Sequence, residues 1–391
     1  MKQYLKRAWA EISLPNLESN IWLIKKLAGN SDIMAVVKAD AYGHGEGEIC
    51  HFLEKSGIKY FAVSNLDEAL QVRGFCPESE ILILGYTPPE YAGYLTENNI
   101  IQGVLSKEYA LELVKYHKGV RCHIKIDTGM GRIGLKYDTS QECAEEIKNI
   151  INIDGLEVEG IYTHFAVADS DDEDNIKYTD RQEKFILDTY DILRKQNINL
   201  RHVHFMNSAS LCYRANPAST LARAGIIMYG LCPNYPLPIP EGFKPVMSLK
   251  AVVSHVKTIK KGDCISYGRT FVADHEMKIA TVTIGYADGY SRLLSSKADV
   301  LLNGKRCRIT GRICMDQLMI DVTDNDAKEG DIVTLIGLRQ QRRKATSLGL
   351  LLMSLPHYII LSDMKLYAEF QKEFQEFILK NEMQKRNLCL L

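Results

Sequence analysis

The chain of 391 residues lacks the features that mark membrane-spanning, secreted and nucleic-acid-binding proteins. Its longest apolar runs, such as Leu350 to Met353, are far shorter than the roughly 20 residues that cross a bilayer, and its first residues do not form a signal peptide. Its formal net charge is -1, from 48 Lys and Arg against 49 Asp and Glu, so no charge excess favours nucleic acid or an anionic membrane. We therefore expect a cytoplasmic protein that binds neither.

A metal-binding or disulfide pattern is also missing. The sequence contains 10 cysteines, but they are scattered without a CxxC pair or a cluster. We therefore expect reduced thiols and no metal site. The hydrophobic share of 46% is instead ample for well-packed cores in two or three domains.

The first part of the chain alternates short apolar β-type runs with amphipathic helical segments. After an opening strand-like segment at residues 9–14, the runs are 33–37, 60–63, 81–84, 101–105, 122–126, 158–162, 203–206 and 225–229. Eight such units fit a closed (β/α)8 TIM barrel, although the count alone also fits a doubly wound sheet. We expect the barrel to span residues 1–240, while residues 1–14 could instead pack with the domain that follows.

The second part has the texture of strands joined by tight turns. Asn303-Gly304 lies between two apolar alternations and is the strongest short signal of a β-hairpin. We therefore expect residues 241–391 to form an all-β domain. The proline-rich stretch 233–245 would be the hinge between the two domains.

Lys38 ends an apolar run within the stretch AVVKADAYGHG, residues 35–45. This pattern is typical of a buried strand that leaves the core at its carboxyl end. Burial lowers the pKa of an ammonium group, and only a neutral amine forms a Schiff base with an aldehyde cofactor. Lys38 is therefore a candidate for covalent attachment of pyridoxal phosphate, although most lysines at strand ends are solvated rim residues.

Other polar residues follow later strands of the predicted barrel. KIDTGMGRIG supplies Lys125, Asp127 and Arg132; THFA supplies His164; FMNSAS supplies Asn207 and Ser208; and ARAGIIMYG supplies Arg223 and Gly225. The carboxyl ends of barrel strands meet at one mouth. Each residue alone has an ordinary structural explanation, but their occurrence at successive strand ends predicts one shared site.

These motifs, with ISYGRTF, IGYADGY and GRICMDQ, closely resemble in order and spacing those of the pyridoxal-phosphate-dependent alanine racemases. The resemblance covers about residues 8–337. It implies a barrel followed by a β-rich domain, and a homodimer that interconverts L-alanine and D-alanine by two bases. In a bacterial cytoplasm the D-alanine would supply peptidoglycan.

The resemblance also assigns the two bases. Lys38 holds the cofactor and acts on one face of the substrate Cα, while Tyr267 acts on the opposite face and reaches the barrel mouth of the other subunit. A phenol with a pKa near 10 is a poor base at neutral pH, so Tyr267 must be tuned, and the family's network from Tyr267 through His164 to Arg223 offers positive charge for this. Arg223 would also face the pyridine nitrogen.

The other implied roles concern phosphate, substrate and access. Tyr42, Ser208, Gly225 and Ile226 correspond to phosphate contacts, and Asn207 to a further cofactor contact. Arg132 and the Met315 backbone correspond to ligands of the substrate carboxylate. Lys125 corresponds to a lysine that is carbamylated in many members, and Tyr286, Arg292 and Asp316 to residues of the substrate corridor.

Beyond Gly337 the chain departs from the family pattern. Tyr358 falls where the family has a tyrosine that contacts phosphate, but His357 and Ile359 replace its neighbours and the arginine-rich ending is absent. Genuine divergence and a change of reading frame both explain this difference.

The activity has three alternatives. Serine and broad-specificity racemases share most of the motifs, because a small pocket rejects one extra hydroxyl poorly. A non-catalytic pyridoxal-phosphate carrier would leave Tyr267 without a purpose. A decarboxylase on the same two domains would be expected to have an acidic residue in place of Arg223.

Overall fold

The structure, a computed structural model, describes residues 7–233 and 237–337. The chain opens with strand β1, Ala8–Ile12. Eight parallel strands then form a barrel: β2 Asp32–Val36, β3 Tyr60–Val63, β4 Glu80–Ile83, β5 Ile100–Val104, β6 Val120–Lys125, β7 Leu156–Tyr162, β8 His202–His204 and β9 Leu221–Ala224. They pair in the order β8-β7-β6-β5-β4-β3-β2-β9, and a parallel bridge between Met206 and Ala222 closes the ring. The predicted barrel is confirmed.

Eight α-helices and one short left-handed turn, labelled α2, surround or connect these strands in the described residues. They are α1 Leu14–Ala28, α2 Lys38–Gly43, α3 Glu46–Lys55, α4 Leu66–Phe75, α5 Ala92–Glu97, α6 Lys107–Tyr116, α7 Ser140–Ile151, α8 Glu173–Lys195 and α9 Ser208–Tyr213. Several begin at a residue whose side chain accepts a backbone N–H of the first turn, as Ser106 does for α6 and Thr139 for α7. Of the helices described, none has both the length and the apolar character needed to cross a bilayer.

Two hydrophobic layers hold the barrel together. The larger layer lies between the helices and the outer face of the strands, with Ile24, Leu53 and Phe61 fully buried. The smaller layer fills the barrel interior and includes Met34 and Leu82. Strand residues alternate between the two layers, as the period of a β-strand requires.

The position of the eighth barrel strand was predicted wrongly. The apolar run 225–229 was expected to be this strand, but Ile226–Tyr229 forms a 3₁₀ turn and the strand is β9, Leu221–Ala224. The turn buries its apolar side chains beside α1, where the Asn20 side chain donates to the Met228 carbonyl at 3.0 Å. Strand β9 carries Arg223 in its middle, so its sequence does not have the apolar pattern of a buried strand.

The second domain consists of antiparallel strands, as expected, in one large sheet and a separate pair, β11 with β12. Its strands are β10 Met247–Ile259, β11 Cys264–Ile265, β12 Phe271–Val272, β13 Met277–Val282, β14 Asp299–Leu302, β15 Lys305–Arg308, β16 Leu318–Asp321 and β17 Ile332–Ile336. The main path runs β15-β14-β17-β10-β13-β16. Strand β1 pairs with β10 from Ala8 opposite Ala251 to Ile12 opposite Met247, so the start of the described chain belongs to this sheet.

The predicted hairpin joins β14 and β15. Leu302 pairs with Lys305, and the two residues between them, Asn303 and Gly304, have φ values of 51° and 76°. Two consecutive positive φ values define a type I′ turn, whose twist matches that of the flanking strands.

A pair of glycine substitutions tests this turn. Gly304→Ala should lower the free energy of unfolding by about 1 kcal/mol, because a Cβ disfavours positive φ. Gly74→Ala, at an open position inside α4, should raise it by about 0.5 to 1 kcal/mol through helix propensity. Urea unfolding of both variants measures these changes. An equal effect of the two substitutions would contradict the turn assignment.

Candidate active site

The barrel mouth contains a cavity of about 450 Å³ at the carboxyl ends of the strands. Of the barrel residues that the sequence singled out, Asp127 does not line this cavity, and the others do: Lys38, Tyr42, Lys125, Arg132, His164, Asn207, Ser208, Arg223, Gly225 and Ile226. These residues come from strands spread over most of the barrel sequence. The topology of parallel strands is what makes them neighbours.

Lys38 begins a strained turn directly after β2. The next four residues, Ala39 to Tyr42, have φ values from 52° to 54°, which makes this a left-handed turn built from non-glycine residues. Such a conformation costs about 1–2 kcal/mol per residue and persists only when the surroundings impose it. Glu68 accepts the Ala39 N–H at 2.8 Å, and Asp40 accepts the Glu46 N–H at 2.7 Å, so the first two residues of the turn are tied to α4 and to the start of α3.

The surroundings of Lys38 favour its neutral amine. Burial is the main cause that lowers the pKa of Lys38, and the positive charge of Arg132 adds to it, while Glu68 acts in the opposite direction. A lowered pKa raises the fraction of free amine near neutral pH. Lys38 can therefore act as a nucleophile or as a base.

Ser208, Gly225 and Tyr42 form a cradle on one side of the cavity. The Ser208 hydroxyl accepts the Gly225 N–H at 3.0 Å and lies 3.4 Å from the Ile227 nitrogen. A Cβ on Gly225 would lie 3.0 Å from the Tyr42 hydroxyl and 3.3 Å from the Ser208 hydroxyl. Asn207 caps α9 and so fixes the start of the helix that carries Ser208. Hydroxyls and backbone amides around an open space suit an anion of phosphate size.

Arg223 is buried beneath the cavity and is held by hydrogen bonds. Its Nη1 donates to His204 Nδ1 at 2.8 Å, and its Nη2 donates to the Thr163 carbonyl at 2.6 Å and lies 3.5 Å from His164 Nδ1. Burial lowers the pKa of Arg223 to about 10, which still leaves it charged at neutral pH. Burial, reinforced by Arg223, holds the pKa of His164 well below its usual value, so His164 is neutral.

The hydrogen bond from Arg223 to His204 determines which nitrogen carries the proton in His204 and in His123. A guanidinium only donates, so His204 Nδ1 accepts and its proton lies on Nε2. His204 Nε2 is 2.9 Å from His123 Nδ1 and therefore donates to it. The barrel interior thus fixes one tautomer for each histidine and holds Arg223 in place.

Lys125 lies at the other side of the mouth. Its Nζ donates to the Ile126 carbonyl at 2.7 Å. Burial lowers the pKa of Lys125 to about 7, with a further contribution from Arg223. Asp127 does not contact Arg132 through a hydrogen bond in the structure; it accepts the N–H groups of Gly129 and Gly131, each at 3.0 Å, and so shapes the loop that carries Arg132.

Three more predicted residues, Tyr267, Met315 and Asp316, line a second cleft, in the β domain. This cleft of about 500 Å³ is lined by Ser266, Tyr267, Cys314, Met315, Asp316 and Gln317. Within the described residues, the two cavities share no lining residue. The Tyr267 residue is 64% exposed and Met315 is 53% exposed, so this face is open in one chain.

Two more predicted residues lie near this cleft, and one cannot be located. The Arg292 guanidinium is 5.7 Å from the Tyr286 ring, on neighbouring 3₁₀ turns, Tyr286–Asp288 and Arg292–Leu294. Tyr358 falls outside the described residues.

Sequence reasoning missed Glu68, His204 and Tyr162. Tyr162 stacks on His204 with ring centroids 5.0 Å apart and lines the cavity. The sequence did contain a signal for His204 and Tyr162, because each is the last residue of a barrel strand that the apolar pattern had predicted. Glu68 gave no such signal, since it lies in α4 and meets Ala39 only through the fold.

A barrel whose mouth combines a buried lysine, a cradle for an anion and a buried arginine, followed by an antiparallel β domain, is the architecture of two-domain amino-acid racemases. Comparison with known proteins identifies the family. Residues 12–233 match the family model described as alanine racemase, N-terminal domain, and residues 246–364 match alanine racemase, C-terminal domain. The chain belongs to the alanine racemase family, which uses pyridoxal phosphate.

Individual relatives agree with this. The chain is 41% identical over 344 residues to an alanine racemase of Clostridium novyi, covering 86% of this chain and 88% of the relative. It is 42% identical over 322 residues to one of Desulforamulus reducens, covering 80% and 85%. The match to the second family model also continues past Gly337, to residue 364.

Solved structures show the same fold. The alanine racemase of Bacillus anthracis with bound L-Ala-P is 35% identical, with a TM-score of 0.80, and 92% of this chain and 93% of that chain are covered. A histidine racemase of Leuconostoc mesenteroides subsp. sake is 28% identical, with a TM-score of 0.78 and 91% and 98% covered. The fold is therefore shared by racemases of different amino acids.

The lowered pKa of Lys125 predicts a pH dependence of stability. Between its folded pKa of about 7 and its unfolded value of 10.5, the unfolded chain binds the extra proton, so this residue makes stability rise with pH. The variant Lys125→Met lacks this contribution. Relative to the variant, the wild type should gain stability between pH 7 and 9, by up to about 1.4 kcal/mol per pH unit. Urea unfolding in buffers freed of carbon dioxide measures it, and parallel pH profiles would refute the lowered pKa.

Proposed function

We propose that the protein interconverts L-alanine and D-alanine, with pyridoxal phosphate held at Lys38. The observation that carries this proposal is one cavity in which a lysine with a lowered pKa lies with a cradle for an anion and a buried arginine. The alanine racemases to which the chain is about 40% identical support alanine as the substrate.

The residues at the mouth fit the cofactor. The space beside Gly225, which a Cβ would fill, together with the Ser208 and Tyr42 hydroxyls, would hold the phosphate. Lys38 would hold the aldehyde, and Arg223 would face the ring nitrogen without giving up its proton. When bound, pyridoxal phosphate supplies a conjugated ring that stabilises negative charge at the substrate Cα.

The protein's own contribution is to bind the substrate and move its proton. Arg132 would bind the substrate carboxylate, and the Met315 backbone would assist. Lys38 and Tyr267 would act as the two bases, one taking the Cα proton and the other returning a proton to the opposite face. The free amine of Lys38 is favoured by burial and by Arg132, as its lowered pKa indicates.

A homodimer would complete this site. Lys38 and Tyr267 line different cavities of the described chain, and Tyr267 is largely exposed. We propose that the β domain of one subunit covers the barrel mouth of the other, which brings Tyr267, Met315 and Asp316 to Lys38. Tyr286 and Arg292 would then line the approach to the mouth.

Lys125 is proposed to be carbamylated. Only the neutral amine reacts with carbon dioxide, and a pKa of about 7 leaves a large neutral fraction at physiological pH. The carbamate would replace a positive charge near Arg132 by a negative one and so help to orient this arginine. A carbamate resonance in ¹³C NMR of protein equilibrated with labelled carbon dioxide would identify it.

The substrate is tested by a racemisation assay on the purified full-length protein. Conversion of L-alanine is followed with a D-amino-acid detection system while the visible absorption of the bound cofactor is recorded. Serine and histidine serve as comparison substrates, the latter because a histidine racemase has the same fold. Fast turnover of alanine supports the proposal. A bound cofactor with turnover of serine or histidine, but not of alanine, would show that the substrate is that other amino acid.

Tyr267→Phe tests the second base. Loss of a general base is expected to lower kcat for alanine by at least about 10²-fold, while the cofactor absorption stays. In deuterated water, Lys38 alone should still exchange the Cα proton of one enantiomer without inverting it. The control is Tyr116→Phe, the same change at an exposed position of α6. Full racemisation by Tyr267→Phe would refute the two-base assignment.

Gly225→Ala tests the phosphate cradle. The added methyl lies against the Tyr42 and Ser208 hydroxyls, so it should weaken cofactor affinity by about tenfold or more. Absorption titration of the cofactor-free protein with pyridoxal phosphate measures this. Gly93→Ala, which meets only an ordinary contact with His117, is the control. Equal affinity of the two variants would place the phosphate elsewhere.

A further inference from the structure

Arg7, at the start of the described chain, joins segments that are far apart in sequence. Its Nη1 donates to the carbonyls of Thr283 and Asp316, each at 3.1 Å, and its Nη2 pairs with the Asp288 carboxylate. The Arg7 carbonyl accepts the Thr283 hydroxyl at 2.7 Å and the Val252 N–H at 3.0 Å. Both the main chain and the side chain of Arg7 are therefore fixed.

The two loops that Arg7 contacts are already locked together. The N–H groups of Tyr286 and Ala287 donate to the carbonyls of Cys314 and Met315 at 3.0 and 2.9 Å. This approach needs Gly285, because a Cβ there would lie 2.2 Å from the Met315 carbonyl oxygen. The result is one unit made of the turn 285–288 and the loop 314–316.

Asp288 connects this unit to Arg7. Its Oδ2 accepts the Gly285 N–H at 3.0 Å, while its Oδ1 pairs with Arg7. The Asp316 carbonyl, which Arg7 also contacts, directly follows Met315. The guanidinium fork thus touches the turn at one end and the loop at the other, which a single ammonium group could not do.

We propose that Arg7 and Asp288 form a clasp that positions the Met315 backbone and Tyr286 for substrate binding. This inference rests on the proposed function, in which Met315 and Tyr286 contact or admit the substrate. Both side chains of the clasp are partly exposed, at 38% and 23%, so the ion pair contributes little to global stability. Its effect is local, on the loop that lines the Tyr267 cleft.

The structure offers a matched control. Lys250 and Glu11 form another partly exposed ion pair in the same domain, between β1, which directly follows Arg7, and β10. Among the described contacts, the Lys250 side chain makes no hydrogen bond to the turn 285–288 or the loop 314–316. Lys250→Ala therefore removes a nearby ion pair of the same kind and leaves the clasp intact.

Hydrogen exchange tests the clasp without using activity. In Arg7→Ala, the amides of Tyr286 and Ala287 should exchange at least about fivefold faster, because the loop that accepts their hydrogen bonds is released. In Lys250→Ala they should exchange as in the wild type. Asp288→Asn keeps an acceptor for the Gly285 N–H but loses the charge, so these amides should exchange faster than in the wild type but more slowly than in Arg7→Ala. Asp288→Asn serves as the test if Arg7→Ala does not fold. The proposal is overturned if the amides of Tyr286 and Ala287 exchange at the wild-type rate in a folded Arg7→Ala. If Arg7→Ala does not fold, the same result in Asp288→Asn overturns it.

Kinetics tests the functional consequence. Arg7→Ala should raise KM for L-alanine about tenfold and change kcat less than about threefold, since the lost interaction orients a binding group. Kinetics of Arg7→Ala equal to those of Lys250→Ala would overturn the positioning role. If the wild type does not racemise alanine, the proposed function fails, while the exchange measurement still decides whether the clasp exists.

Discussion

The site depends on keeping the amine of Lys38 buried among positive charges at the end of β2. Burial and Arg132 lower its pKa, and the four residues that follow it form a left-handed turn. Glu68 holds the start of that turn and partly offsets the surrounding positive charge. Barrel packing supplies the free energy that this strained segment costs.

The second constraint is that the candidate residues are divided between two domains. The barrel provides the cradle, the buried arginine and one candidate base, while the β domain provides Tyr267 and Met315 at a separate, open cleft. Neither the barrel nor the β domain of one chain contains both sets of candidate residues. In the proposed reaction, this division would make subunit association a requirement rather than an addition.

The sequence predicted the fold well where a local pattern determines the structure. Asn303-Gly304 forms the expected turn, and the barrel appears where apolar runs alternate with helices. The eighth strand was misplaced because Arg223 interrupts its apolar pattern and the run after it forms a buried turn. Glu68 and Arg7 were missed because their partners are distant in sequence, and no periodicity or turn signal reports such contacts.

The most direct test of the divided site mixes two variants, Lys38→Ala and Tyr267→Phe, each expected to be inactive as a homodimer. After the subunits are dissociated and reassociated, mixed dimers contain one mouth with both residues intact. Random pairing makes about half of the dimers mixed, so activity should return to about a quarter of the wild-type value. Activity that stays at the level of the two separate variants would contradict a site shared between subunits.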